Sequence, residues 1–210
     1  MPLVQLQRVN EIAEWALWRI DEDLEELERL QLCEHERVEL AQIHNKRRRM
    51  EWLGARNALQ GIIQNQMSGA TNIRKDAYGK PFLMDSTHHI SLAHSFPYAA
   101  AIFNRLNPAG IDLERIQSKI RKIERKFLSD DEVLSCNGDI AKLTVYWCAK
   151  EALYKLYGRK LLVFRENLYI EPFVMQSEGD IKGAISIGGQ RQTIPLKYQR
   201  FDDYVICYSL

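Results

Sequence analysis

The run from Ile140 to Tyr157 constrains this chain more than any other stretch. It holds no Gly or Pro, and Gly158 follows it. A long apolar run closed by glycine reads as a helix with a C-terminal stop, because glycine accepts the left-handed conformation that ends helices. Trp147, Glu151 and Lys155 recur at four-residue intervals, so they share one face, with Glu151 one turn before Lys155. Taken alone, such a pair is a surface ion pair above a core tryptophan. A second acidic stretch upstream changes that reading.

Ala109-Gly110-Ile111-Asp112-Leu113-Glu114 has the apolar character of a strand. Alternate strand residues share a face, so Asp112 and Glu114 project together while Ile111 and Leu113 face the other way. Adjacent carboxylates repel, and a strand that holds them together calls for a cation. Oxygen-only ligands suit Mg²⁺, with Mn²⁺ as a substitute. With Glu151 brought across, three carboxylates would surround a hard cation one turn from Lys155, an arrangement suited to a pyrophosphate.

Composition narrows the rest. A chain of 210 residues with 46% hydrophobic residues is long enough for one large domain or two lobes. A net charge of +1 gives no global reason to bind nucleic acid or membrane. The charge is uneven: residues 21–39 carry nine acids against two basic residues, and residues 115–126 carry six basic residues against one acid. Cys33, Cys136, Cys148 and Cys207 form no C-x-x-C, and their flanks suggest no zinc site. The expectation is free thiols in a reducing cytoplasm, with no signal peptide and no membrane-spanning helix.

Along the chain, Leu3–Arg8 and Glu14–Ile20 read as strands, and Asp21–Leu32 as an acidic amphipathic helix. Glu34–Gln66 reads as a long helix interrupted near Asn45, carrying Lys46, Arg47, Arg48, Arg49 and Arg56. Four basic residues without interleaved aromatics fit any anionic partner, or simply solvent. Met67–Tyr78 is a loop with a short strand, followed by the turn Gly79-Lys80-Pro81. His88–Ala93 and Tyr98–Phe103 are strands joined by Ser95-Phe96-Pro97. Asn107-Pro108 marks a boundary. Ile116, Ile120, Ile123 and Phe127 form a helical stripe under a basic face, Ser129 to Glu132 has the form of a capping box, and four strands between Leu168 and Ser209 complete the chain.

Gly110-Ile111-Asp112-Leu113-Glu114, then Phe127 to Glu132, then Trp147 to Lys155, resembles the motif series of the 4'-phosphopantetheinyl transferase superfamily. Gly79-Lys80-Pro81 and Ile90-Ser91-Leu92-Ala93-His94-Ser95 look like two further family segments, in the family's order. Each motif is weak alone; together they are specific. The length resembles the two-lobed form typified by the surfactin-synthetase activator. The resemblance implies an α+β fold of two similar lobes related by a pseudo-twofold. Residues 1–107 would contact the phosphates and adenine of coenzyme A. Residues 108–210 would carry the metal, the catalytic residues and the carrier-protein surface.

By the same resemblance, Asp112, Glu114 and Glu151 hold Mg²⁺, Lys155 stabilises the pyrophosphate, and Glu151 or a metal-held water is the base. Arg56, helped by Arg49 or Arg48, would bind coenzyme A phosphates, as would His94 beside Ser95, while Lys80 and Pro81 would frame the adenine. Lys119, Arg121, Lys122 and Arg125 would dock an acidic acyl or peptidyl carrier protein. Lys150 would reach either substrate or solvent, and Glu132 would be a cap or more. The implied reaction moves the phosphopantetheine arm to a carrier serine, with no nucleic-acid or membrane partner and a monomeric chain. An inactive relative that only binds, or another Mg²⁺-dependent nucleotide enzyme, are the rival expectations.

Overall fold

A computed structural model describes residues 2–64, 72–84, 86–159 and 161–210. The chain divides into two compact units, residues 1–109 and 110–210.

The first unit opens with the hairpin β1 (Leu3–Arg8) and β2 (Ala13–Arg19). Three helices follow: α1 (Leu24–Leu27), α2 (Glu34–Ala41) and α3 (Lys46–Ile63). A small hairpin, β3 (Ile73–Lys75) and β4 (Pro81–Leu83), then leads to β5 (His89–Ser95) and β6 (Tyr98–Asn104). The main sheet runs β1-β2-β6-β5 and is antiparallel throughout. Helix α3 lies on it, burying Leu59, Ile62 and Ile63 with Ile90 and Phe103. The expected interruption of the long helix falls at Asn45, whose side chain caps α3 by accepting from Arg48 N.

The acidic segment expected as a helix to Leu32 forms only the single turn α1. A capping box between Asp23 and Glu26 starts it. Its last turn holds no basic residue, and Glu28 stands at the C-cap, where the helix dipole disfavours an acid. Leu27 and Leu32 still reach the core. Much of the loop expected from Met67 lies outside the described residues; its short strand is β3.

The second unit begins with β7 (Ile111–Arg115) and a 3-10 helix, Ser118–Ile123. Helices α4 (Glu124–Phe127), α5 (Asp130–Cys136), α6 (Ile140–Tyr157) and α7 (Phe164–Asn167) come next. Strands β8 (Leu168–Ile170), β9 (Glu178–Ile187), β10 (Gln190–Phe201) and β11 (Tyr204–Ser209) complete it. The sheet order is β7-β11-β10-β9-β8, again antiparallel. Helix α6 crosses it, burying Val145, Cys148, Ala149, Ala152 and Leu153 against Ile170, Leu196, Val205 and Cys207. Gly158 caps α6 at φ 69°.

Two expected elements are shorter or tighter than the pattern indicates. The stripe from Ile116 to Phe127 packs on the core but winds as a 3-10 helix and one α turn. The strand from Leu168 stops at Ile170, ahead of Pro172, which has no backbone donor to extend the ladder.

Candidate active site

In the second unit, the pleat of β7 turns Gly110, Asp112 and Glu114 toward α6. Gly110 makes the approach possible: a Cβ there would lie 2.0 Å from the carbonyl oxygen of Ala152. Asp112 is 6% exposed. Its Oδ1 accepts from Lys155 Nζ at 2.7 Å, and Lys155 also donates to Ile111 O at 3.1 Å. Its Oδ2 is buried with no hydrogen-bond partner among the described residues. Glu114 Oε1 accepts from Trp147 Nε1 at 2.8 Å. Trp147 is held in turn by Phe127 and Phe164, with ring centroids at 4.9 and 5.5 Å. Read from sequence as core, it also orients a carboxylate; its place one turn before Glu151 was the available signal.

These carboxylates disturb one another. Burial, then the charge of Asp112, pushes Glu114 up to about 7, with Trp147, Lys155 and Lys119 acting against. Burial, then Asp112, pushes Glu151 to about 7 as well, opposed by Lys155. Burial works against the charge on Lys155, but Asp112 and Glu151 outweigh it and raise its pKa above the ordinary lysine value. Three acids facing one ammonium leave an excess of negative charge. Asp112, Glu114 and Glu151 offer oxygen donors only, the donor chemistry of a divalent hard cation, and among the described residues the buried Asp112 Oδ2 has no hydrogen-bond partner.

Lys150, one residue from Glu151, faces neither substrate nor solvent. It is 0% exposed and donates to Glu132 Oε2 at 2.7 Å, Phe127 O at 2.7 Å and Phe164 O at 3.3 Å. Glu132 also accepts from Ser129 N at 2.8 Å and Ile170 N at 2.8 Å. It is therefore a cap and the hub of a buried network tying α4, α5, α6, α7 and β8 together. Lys119, Arg121, Lys122 and Arg125 are exposed on the 3-10 helix and α4. Arg121 also hydrogen-bonds Gly138 O.

In the first unit, His94 stands near the end of β5, with Nδ1 3.4 Å from Glu51 Oε2. Glu51, on α3, also accepts from Phe96 N at 3.3 Å and Arg47 Nε at 3.2 Å. Arg47 lies over the Phe96 ring at 4.9 Å and is 63% exposed. Glu51 thus joins the helix, His94 and the 95–97 turn; the sequence reading missed it because its partner lies 43 residues away. Ser95 is half-buried beside it.

Arg56 and Arg49 are engaged differently from the expectation that both meet a ligand. Arg56 is 3% exposed; its Nε donates to Glu36 at 2.9 Å, and its guanidinium lies over the Trp52 ring. In this geometry it pins α2 to α3 and presents nothing to a phosphate. Arg49 donates to the carbonyls of Leu40 and Ile43 and pairs with Glu28, closing the end of α2. Arg48 is exposed. Lys80 sits in a turn closed by Asp76, whose carboxylate accepts from Tyr78 N and Lys80 N. Gly79 is at φ +91°, and Pro81 opens β4. Burial lowers the Lys80 pKa, opposed by Asp76.

Residues 108–209, which hold the helix α6 crossing its antiparallel sheet, match the family model for the 4'-phosphopantetheinyl transferase superfamily. A curated relative, the 4'-phosphopantetheinyl transferase gsp of Aneurinibacillus migulanus, is 28% identical over 103 residues, 47% of this chain and 43% of the relative. The aligned segment thus spans less than half the length of that protein. Among the described residues no helix is long and apolar enough to cross a membrane.

Proposed function

We propose that the protein transfers the 4'-phosphopantetheine arm of coenzyme A to a serine of an apo carrier protein, leaving adenosine 3',5'-bisphosphate. The observation that carries this is the Asp112–Glu114–Glu151 set, with the partnerless Asp112 Oδ2, inside the segment that matches the superfamily. The two-lobed form of the family is the version proposed; each unit offers an 18-residue helix on an antiparallel sheet, as a duplication would.

Asp112, Glu114 and Glu151 would hold Mg²⁺, which when bound neutralises pyrophosphate charge. Lys155 keeps its proton and is placed to meet charge developing on the leaving phosphate. Glu151, or a water beside it, is the proposed acceptor of the serine proton. In the first unit, His94 and Arg47, both bound to Glu51, are the cationic donors proposed for other phosphates, with Ser95, Arg48 and Arg49 near them in the chain; Lys80 and Pro81 frame the adenine. Arg56 acts by holding α2 and α3. Lys119, Arg121, Lys122 and Arg125 form the proposed docking face for an acidic acyl or peptidyl carrier protein, in a cytoplasmic, monomeric enzyme.

The test is the intact mass of an apo acyl or peptidyl carrier protein incubated with coenzyme A, Mg²⁺ and this protein. Gain of one phosphopantetheine arm, abolished by EDTA, is the expected result. Coenzyme A binding without any mass gain on either carrier would overturn transfer in favour of an inactive binding relative.

A further inference from the structure

A second group of metal-ligating atoms lies in the first unit, far in sequence from the acid set. Cys33, His35 and Glu36 each offer one ligand atom, all within 4.8 Å of one another. Cys33 Sγ is 3.2 Å from His35 Nδ1 and donates to Glu36 Oε2 at 2.9 Å. Asn72 Oδ1 lies 3.5 Å from the same sulfur. None of this has the spacing of a known zinc motif, so the sequence reading found no zinc site at any cysteine. The convergence comes from the fold. Cys33 is the N-cap of α2 and Glu36 is its third residue, two positions whose side chains meet across a helix start. His35 is the second residue of α2, its Nε2 lying 2.6 Å from Ile73 O on β3.

That last contact fixes the chemistry of the ring. A carbonyl oxygen only accepts, so Nε2 carries the hydrogen and Nδ1 is the unprotonated nitrogen. The sulfur lies 3.2 Å from Nδ1 and 3.6 Å from Nε2, beside the ring, so metal binding requires the ring to turn its Nδ1 lone pair toward the ion. A ligating histidine commonly has its other nitrogen fixed by a carbonyl in this way. Glu36 is likewise supported from behind: Oε1 is held by Arg56 at 2.9 Å, leaving Oε2 directed at Cys33. An open cleft lined by Cys33, Glu34, His35, Val38, Asn72 and Arg74 reaches the sulfur.

We propose that Cys33 Sγ, His35 Nδ1 and Glu36 Oε2 form a Zn²⁺ site, with Asn72 Oδ1 or water in the fourth position. Thiolate, imidazole and carboxylate together select zinc over the hard cation that suits the acid set. Tetrahedral zinc separates such ligands by roughly 3.3–3.6 Å, a few tenths of an ångström wider than the contacts present. Binding releases the Cys33 thiol proton to solvent, so thiolate and carboxylate together balance the two charges of zinc. The ion would fasten the start of α2 to the β3–β4 hairpin. The site stands independently of the transferase reading.

Cobalt is the probe. Co²⁺ added to metal-free protein is expected to give one thiolate-to-cobalt charge-transfer band per chain, displaced by Zn²⁺. The band persists in Asp112→Ala, because the acid set offers only oxygens, and disappears in Cys33→Ser. A second readout does not depend on a variant. Cys136, Cys148 and Cys207 are buried and Cys33 alone is partly exposed, so a thiol reagent reads Cys33 in the native protein. Excess Zn²⁺ is expected to slow its labelling about tenfold, the slowing of a site nine-tenths occupied. A band that survives in Cys33→Ser, no band in the native protein, or labelling indifferent to Zn²⁺ would overturn the site.

Discussion

Lys150 and Glu151 are neighbours on α6 with opposite electrostatic circumstances. Around Lys150 every charge is matched: one ammonium, one carboxylate, two carbonyls and two backbone donors close the network. Around Glu151, three carboxylates share one ammonium, two of them with pKa values near 7, and Asp112 Oδ2 has no partner among the described residues. The first arrangement is complete without a ligand and holds the second unit together. The second leaves negative charge in excess, and it is there, between β7 and α6, that the proposed cation would be held.

The largest expected effect lies on the matched side. Lys150→Met strands Glu132 in the core and should cost about 3–5 kcal/mol, measured by denaturant unfolding. Adding Glu132→Gln should recover part of that loss, because the unpaired charge goes with it. If Lys150→Met unfolded at the wild-type midpoint and lost only activity, the two sides of α6 would not differ as described.

On the unbalanced side the order reverses. Asp112→Asn should lower transfer by about a hundredfold or more, the scale for losing one electrostatic stabiliser, while the unfolding midpoint stays near wild type. A midpoint that fell as far as that of Lys150→Met would make the acid set structural. Gly110→Ala sharpens the same point through geometry. Its methyl would meet the Ala152 carbonyl, so β7 and α6 must separate. A loss of about 1–3 kcal/mol in stability is expected, with reduced transfer even where the protein is folded.

The acid set also makes stability depend on pH. Burial and the charge of Asp112 push Glu114 and Glu151 up to about 7 in the folded protein, above the ordinary carboxylate value of 4.5. The folded state therefore holds protons that the unfolded chain has released, and in this window stability falls as pH rises. Metal-free protein should lose melting temperature from about pH 5 to pH 7, at about 2–4 °C for each kcal/mol. The decline should be shallower in Glu114→Gln. Mg²⁺ should restore stability above the window and do little below it, where the acids are protonated. Equal slopes in the variant and wild type would remove Glu114 from the unbalanced set.

What could be read from the sequence was what depends on short-range periodicity. Helix α6 and its Gly158 stop, the shared face of Asp112 and Glu114, and the break at Asn45 all follow from spacing and capping. Most of the parts that escaped depend on distant partners. Nothing in the local sequence around Lys150 shows that Glu132, 18 residues earlier, waits in the core. Arg56 looked available because Glu36, 20 residues back, is visible only once α2 folds against α3. The basic stripe after Arg115 has helical hydrophobic spacing, yet the chain winds there as a 3-10 helix and a single α turn. Glu51 reads as one acid in a basic helix until β5 brings His94 beside it.

Binding of Mn²⁺ in the presence of coenzyme A, followed by electron paramagnetic resonance, tests the central claim most directly. One site per chain in the wild type, lost in Asp112→Asn and unchanged in Lys150→Met where that variant is folded, is the predicted result. Equal Mn²⁺ binding by wild type and Asp112→Asn would contradict the assignment of the acid set as the cation site.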